Sequence, residues 1–380
     1  KRLSNDAGAA LLIMLGVHGR AGELKDAVEE VRGHALTLNL LGRYLCDAYA
    51  GDIRRRDQVR FEEADNEEQG GHAFRVMDHY VAWFETDQAG RQAIALLRLM
   101  GLFDRPAGAP AFAALLREPV LVGLTEEVAG LREAQRNILL TRLEATQLLT
   151  ISRDGQTPVA YDAHPLVREY FAQRLKDIYP EAWREGHRRL FEYLCASVEH
   201  QPGTLEGLQP LYQAVAHGCL AGLHEVARTE VYRDRILRGA GNDGFFSTRT
   251  LGAIGAALGA VACFFDPPWC RPSPSLPATA QSWLLNQAAF RLRALGRLQE
   301  ALEPMRAGLE MDVVAEEWMR AAIAASNLSG LALTLGEVTD ALAMAGQAAH
   351  YADHSGDEFT RVVNRTTLAD AQHQAGRRDD

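Results

Sequence analysis

The chain has 380 residues, 40 of them basic and 50 acidic, which gives a formal charge of −10. That length allows two or three domains without covalent staples, and the charge argues against a nonspecific nucleic-acid or anionic-membrane surface while leaving room for a local basic patch. The five cysteines, Cys46, Cys195, Cys219, Cys263 and Cys270, are scattered and form no CxxC pair; they indicate neither a disulfide framework nor a zinc site, and they fit a reducing cytoplasm.

No signal peptide is visible, and no apolar run is long enough to span a bilayer. The nearest approach, LGAIGAALGAVACFF at residues 251–265, is short, rich in Gly and Ala, and followed by Pro267 and Pro268, which predicts a packed helix. Lys1 is not a natural start, and helical sequence begins at once with Ser4 as N-cap. The chain therefore reads as a segment of a longer polypeptide.

Taken in order, the sequence predicts a mainly α protein. Residues 1–60 read as a helical subdomain. LSNDAGAALLIMLGV is one helix, closed by Gly19; GELKDAVEEV is a second; HALTLNLLGRYLCDAYA is a third. In the third, Leu36, Leu40, Tyr44 and Tyr49 lie near one face, and Leu38, Leu41 and Leu45 widen the apolar stripe. The polar stretch at residues 53–71, basic and then acidic, reads as a solvated linker or helix surface. Its Arg54, Arg55 and Arg56 form a solvated patch in preference to a phosphate contact.

Residues 71–178 carry the pattern of a winged helix. HAFRVMDHYVAWF and RQAIALLRLMGLF are apolar helices, the second broken by Arg105-Pro106. APAFAALLRE, TEEVAGLREAQRN with Thr125 as N-cap, and ILLTRLEATQLL follow. LLTISRDGQTPVAY predicts a two-stranded β-hairpin turning at Asp154-Gly155. In YDAHPLVREYFAQRL, Pro165 suits a first helical turn, and Leu166, Tyr170, Phe171 and Leu175 form one apolar face. His164 would sit where the wing returns to the helix start, beside free backbone N–H groups and a positive dipole end.

Residues 179–275 read as a helical connector. EAWREGHRRLFEYLCASVE and LYQAVAHGCLAGLHEVARTEVYRDRILRG are helices separated by the turn-rich QPGTLEG, and the proline-rich residues 266–277 mark a boundary. Residues 276–380 repeat: AAFRLRALGRLQEAL (288–302) matches SGLALTLGEVTDAL (329–342), and a third copy begins at ADAQHQAGRRD. Gly296, Gly336 and Gly376 are spaced by 336 − 296 = 40 and 376 − 336 = 40 residues. A constant helix–turn–helix period indicates a tetratricopeptide (TPR)-like α-solenoid with a lengthened connection between repeats.

Several constellations resemble chemistry and fall short of it. His350 and His354 have the i, i+4 spacing of a metal face but no third ligand, and HEVAR at His224 lacks the second histidine of a zinc-protease helix. GAGNDGFF at residues 239–246 lacks the Lys-Ser/Thr of a phosphate loop. Asp162, His164 and Glu169 have no nucleophile placed to complete a triad. No catalytic centre is expected in this segment. A DNA-reading helix is also disfavoured, because ILLTRLEATQLL carries Arg142 as its one base alongside Glu144.

The order of helical unit, winged helix, helical connector and TPR-like array resembles bacterial STAND NTPases, relatives of NB-ARC and NACHT switches. VRGHALTLNLLGRYL (residues 31–45) is similar to the helix bearing the family's GxPLAL motif, with Ala35 in place of the proline. DAHPLVREYF (residues 162–171) is similar to the MHD-type motif, with Ala163 and Pro165 in place of its Met and Asp. The resemblance implies ADP or ATP as cofactor, held with Mg mainly by a region absent here, since no GxxxxGK(S/T) loop or Walker B run is present. It places Gly33, Ala35 and Leu36 near adenine and makes His164 the sensor of the ADP β-phosphate. The alternatives are a helix start at Gly33-His34-Ala35-Leu36 and a structural His164 bridging wing and helix. On this reading the segment is the regulatory and sensing portion of a cytoplasmic ATP-dependent signalling switch. A protein or other ligand binds the TPR-like repeats, homo-oligomers form on activation, and neither nucleic acid nor membrane is a partner. The rivals are a TPR scaffold that binds protein partners without nucleotide, and a transcription activator of similar architecture.

Overall fold

Ser4 opens the first helix, its hydroxyl accepting from the Ala7 N–H at 3.3 Å, and α1 runs Asn5–Met14. This is a computed structural model that describes residues 2–58, 71–239 and 244–377, in two compact units, Lys1–Arg189 and Leu190–Asp380. It is mainly helical, with one small three-stranded sheet.

In unit 1, α1 ends before Gly19. Leu15 closes it and Gly16, at φ +98°, turns the chain. Gly19 instead makes room for Ile53, whose Cγ2 would lie 2.1 Å from an added Cβ. α2 (Ala21–Glu30) and α3 (Ala35–Tyr49) follow, and α3 buries Leu38, Leu40, Leu41, Tyr44 and Leu45 as its apolar stripe predicts. The arginine cluster after α3 is engaged internally. Arg54 pairs with Asp52, Arg56 with Glu30, and Arg55 lies over the Tyr49 ring. The expected acidic linker falls on residues 59–70, outside the described residues.

α4 (Gly71–Phe84) leads to α5 (Gln88–Met100), which Asp87 caps by accepting from the Gly90 N–H at 2.6 Å. α5 ends at Gly101, ahead of Arg105-Pro106, because Gly101 lies against the backbone of a later helix. The sheet begins with β1 (Ala107–Gly108), a pair of residues too short to show alternation in the sequence. α6 (Ala109–Leu115) follows. Thr125 is no N-cap: it is buried in a run of turns, where its hydroxyl accepts from the Leu121 N–H at 2.8 Å. Helix resumes past Gly130 as α7 (Glu133–Ala145), joining the end of one expected helix to the next.

β2 (Thr150–Asp154) and β3 (Thr157–Asp162) form the expected antiparallel hairpin. Asp154 pairs with Thr157, so the two turn residues are Gly155 and Gln156, with Gly155 at φ +58°. β1 pairs with β3, giving the order β1-β3-β2. α8 (Pro165–Ile178) starts with His164 as N-cap and Pro165 in its first turn. The helix–hairpin–helix order expected over residues 71–178 is therefore present. α9 (Pro180–Ala196) carries the chain from one unit into the next.

In unit 2, α10 (Leu205–Leu220) is capped by Thr204 and ends short of its expected length, because Gly222, at φ +80°, turns the chain. α11 (His224–Val226) then runs into a π-helix, Ala227–Ile236. Of the Gly-rich stretch 239–246, residues 240–243 lie outside the described residues; α12 (Phe246–Arg249) begins at its last residue. The apolar run at 251–265 folds as α13 (Ile254–Ala262), burying Ala257, Ala260 and Val261. Among the described residues no helix is long and apolar enough to cross a membrane. The core containing Phe264 and Phe265 continues through Leu276 to Leu284 and Ala288, across the proline-rich stretch.

The repeat region is five helices: α14 (Ala278–Ala294), α15 (Leu298–Val314), α16 (Trp318–Leu335), α17 (Val338–Ser355) and α18 (Glu358–Gln374). They start at 278, 298, 318, 338 and 358, a step of 20 residues per helix and 40 per pair. The connections are not lengthened. Each is two or three residues, and the excess over the roughly 34 residues of a common TPR unit lies in helices of 17 or 18 residues. Alanines at the crossings, including Ala321, Ala325, Ala341, Ala345 and Ala348, are fully buried and let the helices approach closely.

The five corners fall at 296, 316, 336, 356 and 376, all at positive φ. Four are glycine; the fifth is Glu316 at φ +55°, with its side chain exposed. An L-residue held left-handed is destabilised by about 1 kcal/mol relative to glycine. Glu316→Gly should therefore raise stability by about 0.5–1 kcal/mol, read as a higher urea midpoint at unchanged slope. A lower midpoint would show that this corner differs from the other four.

Candidate functional site

The nucleotide-facing candidates lie in unit 1. Gly33, at φ +67°, donates its N–H to the Val28 carbonyl and accepts from the Leu3 N–H at 2.7 Å. An added Cβ would stand 2.2 Å from the Leu3 carbonyl oxygen, so close backbone approach demands glycine here. His34 is the N-cap of α3: its Nδ1 accepts from the Thr37 N–H at 3.3 Å and lies 2.9 Å from the Thr37 hydroxyl. Ala35 and Leu36 form the first turn and are half-buried. With both Gly33 backbone groups engaged, what these residues can offer a flat ring is apolar contact from Ala35 and Leu36.

His164 is largely exposed, and its Nδ1 accepts from the Leu166 N–H at 3.2 Å. The backbone N–H groups expected to be free here are taken. Those of Val167 and Arg168 donate to the His164 carbonyl, and Pro165 has none. Arg168 is held by Asp162, which also accepts from the Ala163 N–H. Partial burial pushes the His164 pKa below the ordinary imidazole value, with Arg168 adding to the shift and Asp162 opposing it. At neutral pH the ring is thus uncharged, and accepting at Nδ1 leaves its proton on Nε2. One N–H, directed by the cap, is what the ring can present to an anion.

The recorded partners of His164 are Leu166, Asp162 and Arg168; Gly33, Ala35 and Leu36 are not among them. The helical unit instead meets the 71–178 region through Asn39, which donates to Gln147 at 3.1 Å, and through Tyr44 against Tyr80. The His350 and His354 rings lie 4.4 Å apart, tilted by 60°, with the His354 ring bonded to the His350 carbonyl. Among the described residues no group of three or more metal-ligating side chains converges.

A convergence of polar and aromatic side chains lies in unit 2, on the repeat helices. A cavity of about 270 Å³ opens between α14 and α16. α14 contributes Trp283, Asn286, Gln287, Phe290 and Arg293 at helical spacing; α16 contributes Arg320, Ile323, Ala324 and Asn327. Phe245, Thr248 and Arg249 wall it at the α12 end, with Met305 below. A second cavity of about 340 Å³ adjoins it at Trp283 and Arg320 and is lined by Arg228 and Arg233 of the π-helix with Thr279 and Ala280. Phe290 and Ile323, 57% and 50% exposed, leave apolar surface facing solvent in the groove.

The charges are uneven. Arg228 pairs with Glu225, and Arg320 with Glu317 at 3.1 Å and Asp312 at 3.5 Å. Arg249 lies over the Phe245 ring. The side chains of Arg233 and Arg293 make no hydrogen bond or ion pair among the described residues. Beneath the floor, Arg291 is wholly buried; its Nη1 donates to the Gln287 carbonyl and amide oxygens, while Nε and Nη2 make no hydrogen bond and the guanidinium lies 5.8 Å from the centre of the Tyr232 ring. Burial pushes the Asp312 carboxyl up, against the Ser282 hydroxyl and Arg320, which hold it down.

Sequence reasoning placed a ligand on the repeats but named no residue for it. The signal was the register: Trp283 and Ile323, and Gln287 and Asn327, are each 40 residues apart and line the same cavity.

A scan against protein-family models finds no match, and neither does a search of curated proteins. Among solved structures, one similar chain is a Signal Transduction ATPase with Numerous Domains (STAND) protein with a tetratricopeptide repeat sensor from Pyrococcus horikoshii. It is 13% identical with a TM-score of 0.34, over 99% of this chain and 57% of that one. The chain thus spans little more than half the length of that protein.

Proposed function

We propose that the chain is the regulatory and sensing portion of a STAND-type ATP-dependent signalling switch. In this reading unit 2 binds the stimulus, and residues 71–178 act as a winged helix that reads nucleotide state. The observation that carries it is the groove between α14 and α16, where aromatic, amide and guanidinium groups converge on the repeat helices. His164 adds a second, separate support: a single uncharged N–H donor fixed at a helix start suits a contact made in one nucleotide state and broken in another.

ADP or ATP, with Mg²⁺, would be held mainly by residues outside this segment. His164 would give one hydrogen bond to phosphate, and Ala35 and Leu36 would cover the adenine. Phosphate contact closes the switch. A stimulus that binds the open form more tightly shifts the population towards it, and the open form self-associates. The setting is the cytoplasm.

In the complete polypeptide, His164→Ala should speed ADP release about 10- to 100-fold, the equivalent of losing one charge-assisted hydrogen bond of roughly 1.5–3 kcal/mol, and should raise basal signalling. An unaltered ADP off-rate in a folded variant would end the sensor role. If the groove still bound its ligand, a scaffold that works without nucleotide would replace this reading.

A further inference from the structure

We propose that the groove of unit 2 is a binding site for a small aromatic phosphate ester, its ring held among Trp283 and Phe290 and its phosphate by Arg293 and Arg320. The proposal rests on the sensor reading for its biological role and on the groove alone for its chemistry.

The first argument is charge. Among the described residues no carboxylate lines either cavity, in a chain whose overall charge is −10. Five arginines line the two cavities and a sixth, Arg291, lies buried beneath, whereas three carboxylates, Glu225, Glu317 and Asp312, neutralise members of the set. Among the described residues the set keeps a net charge of about +3, because Glu317 and Asp312 both act on Arg320 and Glu225 on Arg228, and Arg293 lies on the groove wall without an anion. A wholly buried Arg291 without a carboxylate is costly unless another anion comes near. The fork of a guanidinium matches phosphate oxygens in pairs.

The second argument is the winding of residues 227–236. In an α-helix, positions five apart point roughly 140° away from each other. Here bonds such as Leu237 N–H to the Tyr232 carbonyl, at 2.9 Å, close five-residue turns, so Arg228 and Arg233 reach the same cavity. A π-helix is a rare and strained device, and here it adds positive charge to one end of the groove.

The third argument is size. The cavities, of about 270 and 340 Å³, meet at Trp283 and Arg320 and draw no residue from α18. An extended peptide lying along the array would run out of groove past α16. A ring with one phosphate fits within it, and the exposed face of Phe290 offers the ring a surface.

Calorimetric titration of the 380-residue chain with 4-methylumbelliferyl phosphate tests this, with 4-methylumbelliferone, inorganic phosphate and hexaglutamate as comparisons. The aryl phosphate should bind at least tenfold more tightly than either of its halves, and more weakly as salt rises. Arg293→Gln and Phe290→Ala should each raise its Kd tenfold or more at an unchanged melting temperature, since neither side chain supports the core. Equal binding of the alcohol, no binding of any probe, or hexaglutamate binding more tightly would each overturn the proposal. So would an unchanged Kd in Arg293→Gln. Binding that meets these terms without altering ADP release would uphold the site and remove the sensor reading alone.

Discussion

Replacing Gly101 with alanine should destabilise unit 1 by about 2–3 kcal/mol, at the upper end of overpacking effects. Gly101 closes α5, and a Cβ there would lie 2.6 Å from the Ala172 nitrogen and 2.9 Å from the Phe171 carbonyl carbon. Both are backbone atoms of α8, so no rotamer change can relieve the overlap and the helices must separate. α5 buries Ile94, Leu96, Leu97, Leu99 and Met100, and α8 buries Tyr170, Phe171 and Leu175; a gap between such faces forfeits contacts all along them. The usual gain of about 1 kcal/mol for alanine over glycine in a helix is too small to offset this. Amide hydrogen exchange gives the readout. α5 and α8 should lose roughly 30- to 150-fold in protection, while α14 to α18 keep theirs. Unchanged protection of α8 would mean that the two backbones part without penalty. Because α8 also has His164 as its N-cap, the same variant should disturb the His164 ring without touching it.

What could be read from the sequence, and what could not, divides by the range of the forces involved. Ser4, Pro165 and Gly155 act on neighbours within a few residues, and their cap, first turn and hairpin turn follow from residue type. The 40-residue period was visible because glycine recurs where a left-handed corner is needed. The half-period was hidden by Glu316, which occupies such a corner without being glycine. Thr125 looked like a cap and became a buried bridge to Leu121, because burial of Leu124 and Val128 dictates the turns around it. β1 exists only as a partner for β3 and has too few residues to show a pattern of its own. The site divides in the same way. His164 was singled out by its motif, and its place as the N-cap of α8 follows from residue type, but its tautomer depends on the Leu166 N–H. The groove draws on elements between residues 228 and 327 and needed the fold to assemble it.

The π-helix is the feature least visible in the sequence, and Arg235 explains what anchors it. Its side chain points away from the groove, is 8% exposed, and gathers four backbone carbonyls: Nε donates to His200 at 2.8 Å, Nη1 to Cys195 at 3.0 Å, and Nη2 to Val198 at 3.3 Å and Glu199 at 3.0 Å. These carbonyls lie at and just past the C-terminal end of α9, where helix acceptors are left without partners and the dipole is negative. One planar cation thus closes a helix end and pins the π-helix to it. Arg235→Met preserves most of the apolar volume and removes every donor. The abandoned acceptors are only partly buried, with Glu199 and His200 exposed, so each loss is unfavourable by about 1 kcal/mol, less than additively where groups share a partner, and unit 2 should lose about 2–3 kcal/mol. Arg235→Lys, with three donors and no fork, should recover part of that loss. Urea unfolding of the three proteins checks the order, and titration with 4-methylumbelliferyl phosphate below the transition checks the link to the groove. If Arg235 holds the winding that points Arg228 and Arg233 together, Arg235→Met should weaken the aryl phosphate even where the fold persists. Equal stability of Met and Arg at 235 would show that water satisfies those carbonyls as well as the guanidinium does, and that the π-helix stands without this anchor.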